Sequence, residues 1–154
     1  MATVERIRKL RGLCVRYDLE EKSILNSCTD TELAEIYNGT GPDSWLPLAR
    51  DIVTVLMELF EPAALIHDMQ FHGSDGSHES FEKTAEVWKR NCRKIFDAEY
   101  PFLCWKQWFR SYRAKRVYWH GIMQAGNLAV SGDAAFQAWT ASYRNNRRAH
   151  EASV

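Results

Sequence analysis

Helical periodicity runs through this chain almost from end to end, and it leaves little room for any fold class but all-α. Val4, Ile7, Leu10 and Cys14 recur at the i, i+3, i+4 spacing that lines one face of a helix, so the chain opens on an amphipathic helix. Thr29 or Asp30 then caps a short helix through Leu33, Ile36 and Tyr37, with Glu32 and Glu35 in its early turns, where the helix dipole favours carboxylates. Asn38-Gly39-Thr40-Gly41-Pro42 stops that helix, because two glycines and a proline forbid regular structure. Residues 50–60 hold the β-branched cluster Ile52-Val53-Thr54-Val55, which suits a strand. Ile52, Val55, Leu56, Leu59 and Phe60 nevertheless share one helical face, and the stretch reads as helix.

Pro62 fits the first turn of the next helix, where its missing N–H is not needed. That helix carries Leu65, Ile66, His67, Asp68 and Phe71 and ends at Gly73. A polar loop follows, then a long helix over residues 79–98, which Pro101 parts from another over 102–124. Residues 126–132 read as a turn, and Asp133 or Ala134 begins a last helix toward Arg148. No paired strands are expected beyond a minor hairpin. At 154 residues, 45% of them apolar, the chain makes a single compact multi-helix domain with a sizeable core.

The formal net charge is zero, so no global field draws the chain to nucleic acid or to an anionic membrane. The charges are nonetheless segregated. Ten acidic residues lie between Tyr17 and Pro62 against only Lys22 and Arg50, whereas eight Lys and Arg lie between Lys106 and Arg148 against the lone Asp133. Opposite fields at two ends of one domain either orient a partner or neutralise each other within the fold. The charged start, residues 1–16, lacks the apolar core of a secretion signal. No apolar run approaches the ~20 residues needed to span a bilayer, so a cytoplasmic protein without a transmembrane segment is expected. Cys14, Cys28, Cys92 and Cys104 follow no zinc spacing and read as reduced, buried, small hydrophobes.

The chemistry-bearing stretch pairs the glycine loop with the helix residues Ile66-His67-Asp68-Met69-Gln70-Phe71. Adjacent helical residues point about 100° apart, so His67 and Asp68 flank one cleft rather than touch. Asp68 is suited to a hard cation such as calcium, shared with carbonyls of the glycine loop. His67 can then take a proton from a water attacking an ester held against that cation. A carboxylate from the neighbouring helix would hold the imidazole in the right tautomer.

The order Asn-Gly-x-Gly, then Ala-x-Ile-His-Asp-x-x-aromatic, then a polar loop and a helix resembles the small phage and prophage proteins related to phospholipase A2. The resemblance continues in Arg113-Ala114-Lys115-Arg116-Val117-Tyr118-Trp119 and covers residues 29–139. It implies a phospholipase A2-like central helix pair with helical additions at both ends. It also implies His67 as general base, Asp68 as calcium ligand, loop carbonyls at Gly39 and Gly41 completing the metal site, and a phospholipid or other ester as substrate. Where such proteins carry a cysteine pair, this chain has Thr40 and Ala64, and the motif tyrosine is Phe71. Their histidine-orienting aspartate corresponds to Ala85, which leaves Glu82 or Glu86 to supply that carboxylate.

Two other groupings stand out. His67, His72, Asp75 and His78 are irregularly spaced for a transition metal. Lys106, Arg110 and Arg113 form a basic stripe interleaved with Trp105, Trp108 and Tyr112, on a chain with six tryptophans. Such a stripe is either a solvated face or a contact surface for phosphate, lipid headgroups or a protein. The sequence therefore supports two functions. One is calcium-dependent hydrolysis of an ester. The other is non-catalytic binding, above all of a host protein such as a defence complex and more weakly of nucleic acid, through Trp105, Lys106, Trp108, Arg110 and Arg113.

Overall fold

The fold, a computed structural model, is described for residues 2–37 and 58–152, and these form six α-helices and three short 3-10 turns. The helices are α1 (Val4–Arg16), α2 (Asp30–Ile36), α3 (Glu61–His72), α4 (His78–Glu99), α5 (Arg110–Ser131) and α6 (Asp133–Ala152). The 3-10 turns are Lys22–Ser27, Glu58–Phe60 and Trp105–Trp108. The chain is all-α, with no strand among the described residues. The glycine loop with Gly39 and Gly41, and residues 50–57 of the expected helix, lie outside the described residues.

α3 is the hub, with α1, α2, α4 and α6 packed around it. Its composition explains the position: Ala63, Ala64, Leu65, Ile66 and Met69 are all buried, so the helix is apolar nearly all round. α1 buries Ile7, Leu10 and Cys14 against it, the spacing the sequence shows. Thr29, not Asp30, caps α2, through a reciprocal box in which Glu32 N donates to Thr29 Oγ1 and Thr29 N donates to Glu32 Oε2. Asp30 instead accepts from Arg8 and Arg11 of α1.

The turn between α1 and the first 3-10 element contains two non-glycine residues in the left-handed region, Asp18 (φ 48) and Glu21 (φ 56). A fully buried Asn91 on α4 holds it. Its Oδ1 accepts from Glu20 N at 2.7 Å and its Nδ2 donates to Glu20 O at 3.1 Å.

α6 closes the other side. Trp139 is buried, and its Nε1 donates to Ser77 O at 3.0 Å while Ser74 Oγ donates to Trp139 O at 3.0 Å. Gly76 is required in this loop for two reasons. Its φ is +73, and a Cβ there would lie 2.7 Å from the Tyr143 ring. Gly76→Ala is expected to cost about 2–3 kcal/mol, combining the left-handed penalty with the overpacking. A urea melt with an unchanged m-value checks it.

Two expectations for the C-terminal half differ from the structure. The helix expected over 102–124 starts only at Arg110, after the 3-10 turn Trp105–Trp108. The Pro101 carbonyl gathers Cys104 Sγ, Gln107 Nε2 and the Tyr112 hydroxyl, and extended backbone at Cys104 and Phe109 separates the turn from helix on either side. The turn expected over 126–132 is helical as far as Ser131. Gly126 is buried there beside Met123, so packing overrides glycine's poor helix propensity, and the break falls at Gly132 instead.

The cysteines are all free thiols. Cys14 and Cys92 are buried, whereas Cys28 and Cys104 are half-exposed, unlike the uniform burial expected. Burial pushes the Cys14 thiol up to about 12. The Tyr112 hydroxyl, together with backbone N–H groups and the Lys106 charge, holds Cys104 below the usual thiol range. In the native protein a thiol reagent is expected to label Cys104 and Cys28 and to reach Cys14 and Cys92 only on unfolding. Peptide mapping after timed labelling checks this.

Candidate functional site

The sequence points to two places, and the structure treats them differently. The first is the His67–Asp68 pair on α3. The His67 ring sits in an aromatic box, stacked on Phe71 with centroids 4.5 Å apart and set at 67° to Trp88 with centroids 5.3 Å apart. The Trp139 ring meets Phe71 edge-on, with centroids 5.1 Å apart. Phe71 thus contacts both the His67 and the Trp139 ring. His67 is 14% exposed in its side chain, and its Nδ1 lies 3.8 Å from Asp68 Oδ1, too far for a hydrogen bond. Its Nε2 is buried without a hydrogen-bond partner among the described residues.

No carboxylate from α4 reaches that nitrogen. The face of α4 turned inward carries Thr84, Ala85 and Trp88, all buried. Glu86 points to solvent instead, where it accepts from Lys89 at 2.9 Å and lies 4.0 Å from Arg90. Lys89 keeps its carboxyl below the usual range, as an ordinary surface ion pair does. Glu82 also sits at the surface, 3.6 Å from His78 Nδ1. Neither glutamate reaches His67: Glu86 lies about 100° round the helix from Ala85, and Glu82 is turned to the surface beside His78.

The fit to a cation is incomplete among the described residues. No group of three or more His, Cys, Asp or Glu comes together there. His67, His72, Asp75 and His78 accordingly form no cluster; Asp75 accepts from Ser77 and Ser80 at the start of α4. Asp68 remains a candidate ligand, and Gly39 and Gly41, its expected companions, lie outside the described residues.

The second place is the tip between α4 and α5. Phe102, Leu103, Trp105, Trp108 and Phe109 are all exposed, Leu103 by 91% and Trp108 by 88%. Lys106, Arg110 and Arg113 stand among them, though not on one helix: Lys106 belongs to the 3-10 turn, and only the two arginines lie on α5. Arg116 is drawn inward, lying over the Phe96 and Phe102 rings and donating to Tyr100 O. Because the Pro101 carbonyl and the turn's own hydrogen bonds satisfy the local backbone, the tip is a built loop that presents its rings to solvent.

The charge pattern of the sequence now has an explanation. Four acids of the acidic segment pair with cations of α1 and α4: Arg6 with Glu61, Arg8 and Arg11 with Asp30, Lys83 with Glu21 and Arg90 with Glu20. Among the described residues, no ion pair joins the acidic segment to the stretch from Lys106 to Arg148. Lys106, Arg110, Arg113 and Lys115 make no ion pair among the described residues. No acid occurs between Glu99 and Asp133 to offer one locally. Sequence reasoning found the cations and tryptophans but missed Phe102, Leu103 and Phe109. The signal was an apolar run directly after Pro101 in an acid-free stretch.

No helix among the described residues is long and apolar enough to cross a membrane. No protein-family model, curated protein or solved structure matches the chain.

Proposed function

We propose that this chain is a non-catalytic interaction protein that docks on an acidic partner through the tip around Trp105 and Trp108. One observation carries the reading: five large apolar side chains stand exposed around cations that no residue of the described fold neutralises. Trp and Arg are enriched among the residues that dominate interface energetics, and unpaired cations around them favour a partner of opposite charge. In the phage or mobile-element setting that the resemblance implies, the partner is a host protein in the cytoplasm, such as a component of a defence complex.

The test is capture from a bacterial lysate by the tagged chain, quantified for four proteins. His67→Ala should retain the partner. The triple reversal Lys106→Glu, Arg110→Glu, Arg113→Glu and the double truncation Trp105→Ala, Trp108→Ala should each lose it. Undiminished capture by the charge-reversed protein would overturn the proposal, and recovery of nucleic acid alone would replace the protein partner by a polyanion.

A second reading, calcium-dependent hydrolysis of a phospholipid or other ester, rests on His67 and Asp68 lying side by side with a buried Nε2 that has no acceptor or donor among the described residues. Ala85 and Trp88 on the inward face of α4 weigh against it, since losing an orienting carboxylate costs several orders of magnitude in rate.

A further inference from the structure

Phe102, Leu103, Trp105, Trp108 and Phe109 stand in water, although each would gain by folding back onto the core. Something must hold the tip open, and the start of α5 carries a device for it. Tyr112 and Arg116 lie about one helical turn apart and reach consecutive carbonyls where the tip leaves α4. Arg116 Nε donates to Tyr100 O at 3.1 Å, and the Tyr112 hydroxyl donates to Pro101 O at 3.0 Å. The Arg116 guanidinium also lies over two rings, 5.3 Å from the centroid of Phe96 and 5.2 Å from that of Phe102. Those rings belong to different parts of the fold: Phe96 is fully buried in α4, whereas Phe102 is exposed in the tip. Among the cations of this stretch, Lys106, Arg110, Arg113 and Lys115 are exposed, and Arg116 is only half-exposed.

We infer that Arg116 is a positioning residue that holds the tip open for docking. It ties Phe102 to Phe96, and it occupies the place on Phe96 that a collapsing tip ring would take. The inference rests on the docking function proposed above. Arginine suits the task because its guanidinium is planar, stacks on aromatic faces and still donates at its edge, so one side chain serves two rings and a carbonyl. An apolar residue at 116 would cover Phe96 too, but it would itself offer a surface for Trp105 or Phe102 to join. A tip held in its bound shape loses little freedom on binding. Apparent affinity scales with the fraction of molecules whose tip is open, so losing Arg116 weakens docking while every ring and exposed cation of the surface remains.

Fluorine NMR of the full chain labelled with 5-fluorotryptophan tests this, with a soluble paramagnetic agent reporting exposure. Trp88 and Trp139, 2% and 3% exposed, are buried references for Trp105 and Trp108 at 69% and 88%. In the wild type the two tip resonances should relax far faster than the references. Arg116→Ala should cut that enhancement by about twofold or more and leave Trp88 and Trp139 unmoved. Arg116→Lys keeps the charge but not the plane, and should fall between. Phe102→Ala breaks the same contact from an exposed position and should act like Arg116→Ala, so the test does not depend on one variant folding. Tip enhancements that stay unchanged or rise in both Arg116→Ala and Phe102→Ala would overturn the inference and leave docking untouched. Capture from the lysate separates the two ideas. Arg116→Ala should recover about tenfold less partner than the wild type, with Arg116→Lys again between. Full capture by Arg116→Ala despite a collapsed tip would overturn the positioning role. Capture by no protein, the wild type included, would overturn docking while the resonances still decide whether Arg116 holds the tip.

Discussion

Trp139→Ala is expected to be among the most destabilising single changes in this protein, at about 3–5 kcal/mol, the usual range for deleting a buried tryptophan. Trp139 is 3% exposed and packs edge-on against Phe71 and at a tilt against Phe81. Its indole N–H is also the donor that ties α6 to the Ser77 carbonyl just before α4. Removal leaves a cavity under α6, strands that carbonyl and weakens the loop containing Gly76. Trp139→Phe keeps most of the packing and loses the hydrogen bond, for about 1 kcal/mol. Guanidinium melts of the two variants give the sizes. Hydrogen exchange should show the extra loss in Trp139→Ala concentrated in α6 and the loop 73–77.

Asn91→Leu is the second large effect, and it runs against intuition, since it makes the core more apolar. The Asn91 amide is fully buried and both its ends are spent on the backbone of Glu20. Leucine fills similar space but leaves the Glu20 N–H and carbonyl facing a side chain that cannot bond them. An abandoned, partly buried polar group costs about 1–3 kcal/mol, so the pair costs about 2–6 kcal/mol. The neighbouring left-handed residues Asp18 and Glu21 lose their brace at the same time. Asn91→Asp separates the two bonds, since a carboxylate still accepts from Glu20 N but has no N–H for Glu20 O. Its loss in a urea melt should fall between wild type and Asn91→Leu.

The all-α class and most helix limits were legible in the sequence because they depend on local rules. α3 begins near Pro62 and stops at Gly73, and α1 buries the i, i+3, i+4 residues of its pattern. Errors came where distant packing decides. Gly126 looked like a helix breaker and is a buried residue within α5, and the segment after Pro101 looked like helix and winds about the Pro101 carbonyl instead. The candidate site was less legible still. Sequence places Glu86 one residue from where an orienting acid belongs, but one residue on a helix is a third of a turn, and the side chain faces water. The acid-free apolar run after Pro101 hinted at the exposure of Leu103 and Trp108, but tryptophan alone does not mark it, since Trp88 is buried.

We propose that the tip between α4 and α5 is the working surface and that the His67–Asp68 pair does no hydrolysis. Calcium titration by calorimetry, on the wild type and on Asp68→Ala, tests that claim most directly. No saturable heat at millimolar calcium in either protein is the predicted result. Saturable binding in the wild type that vanishes with Asp68→Ala would contradict it, and would move the search from captured partners to ester substrates.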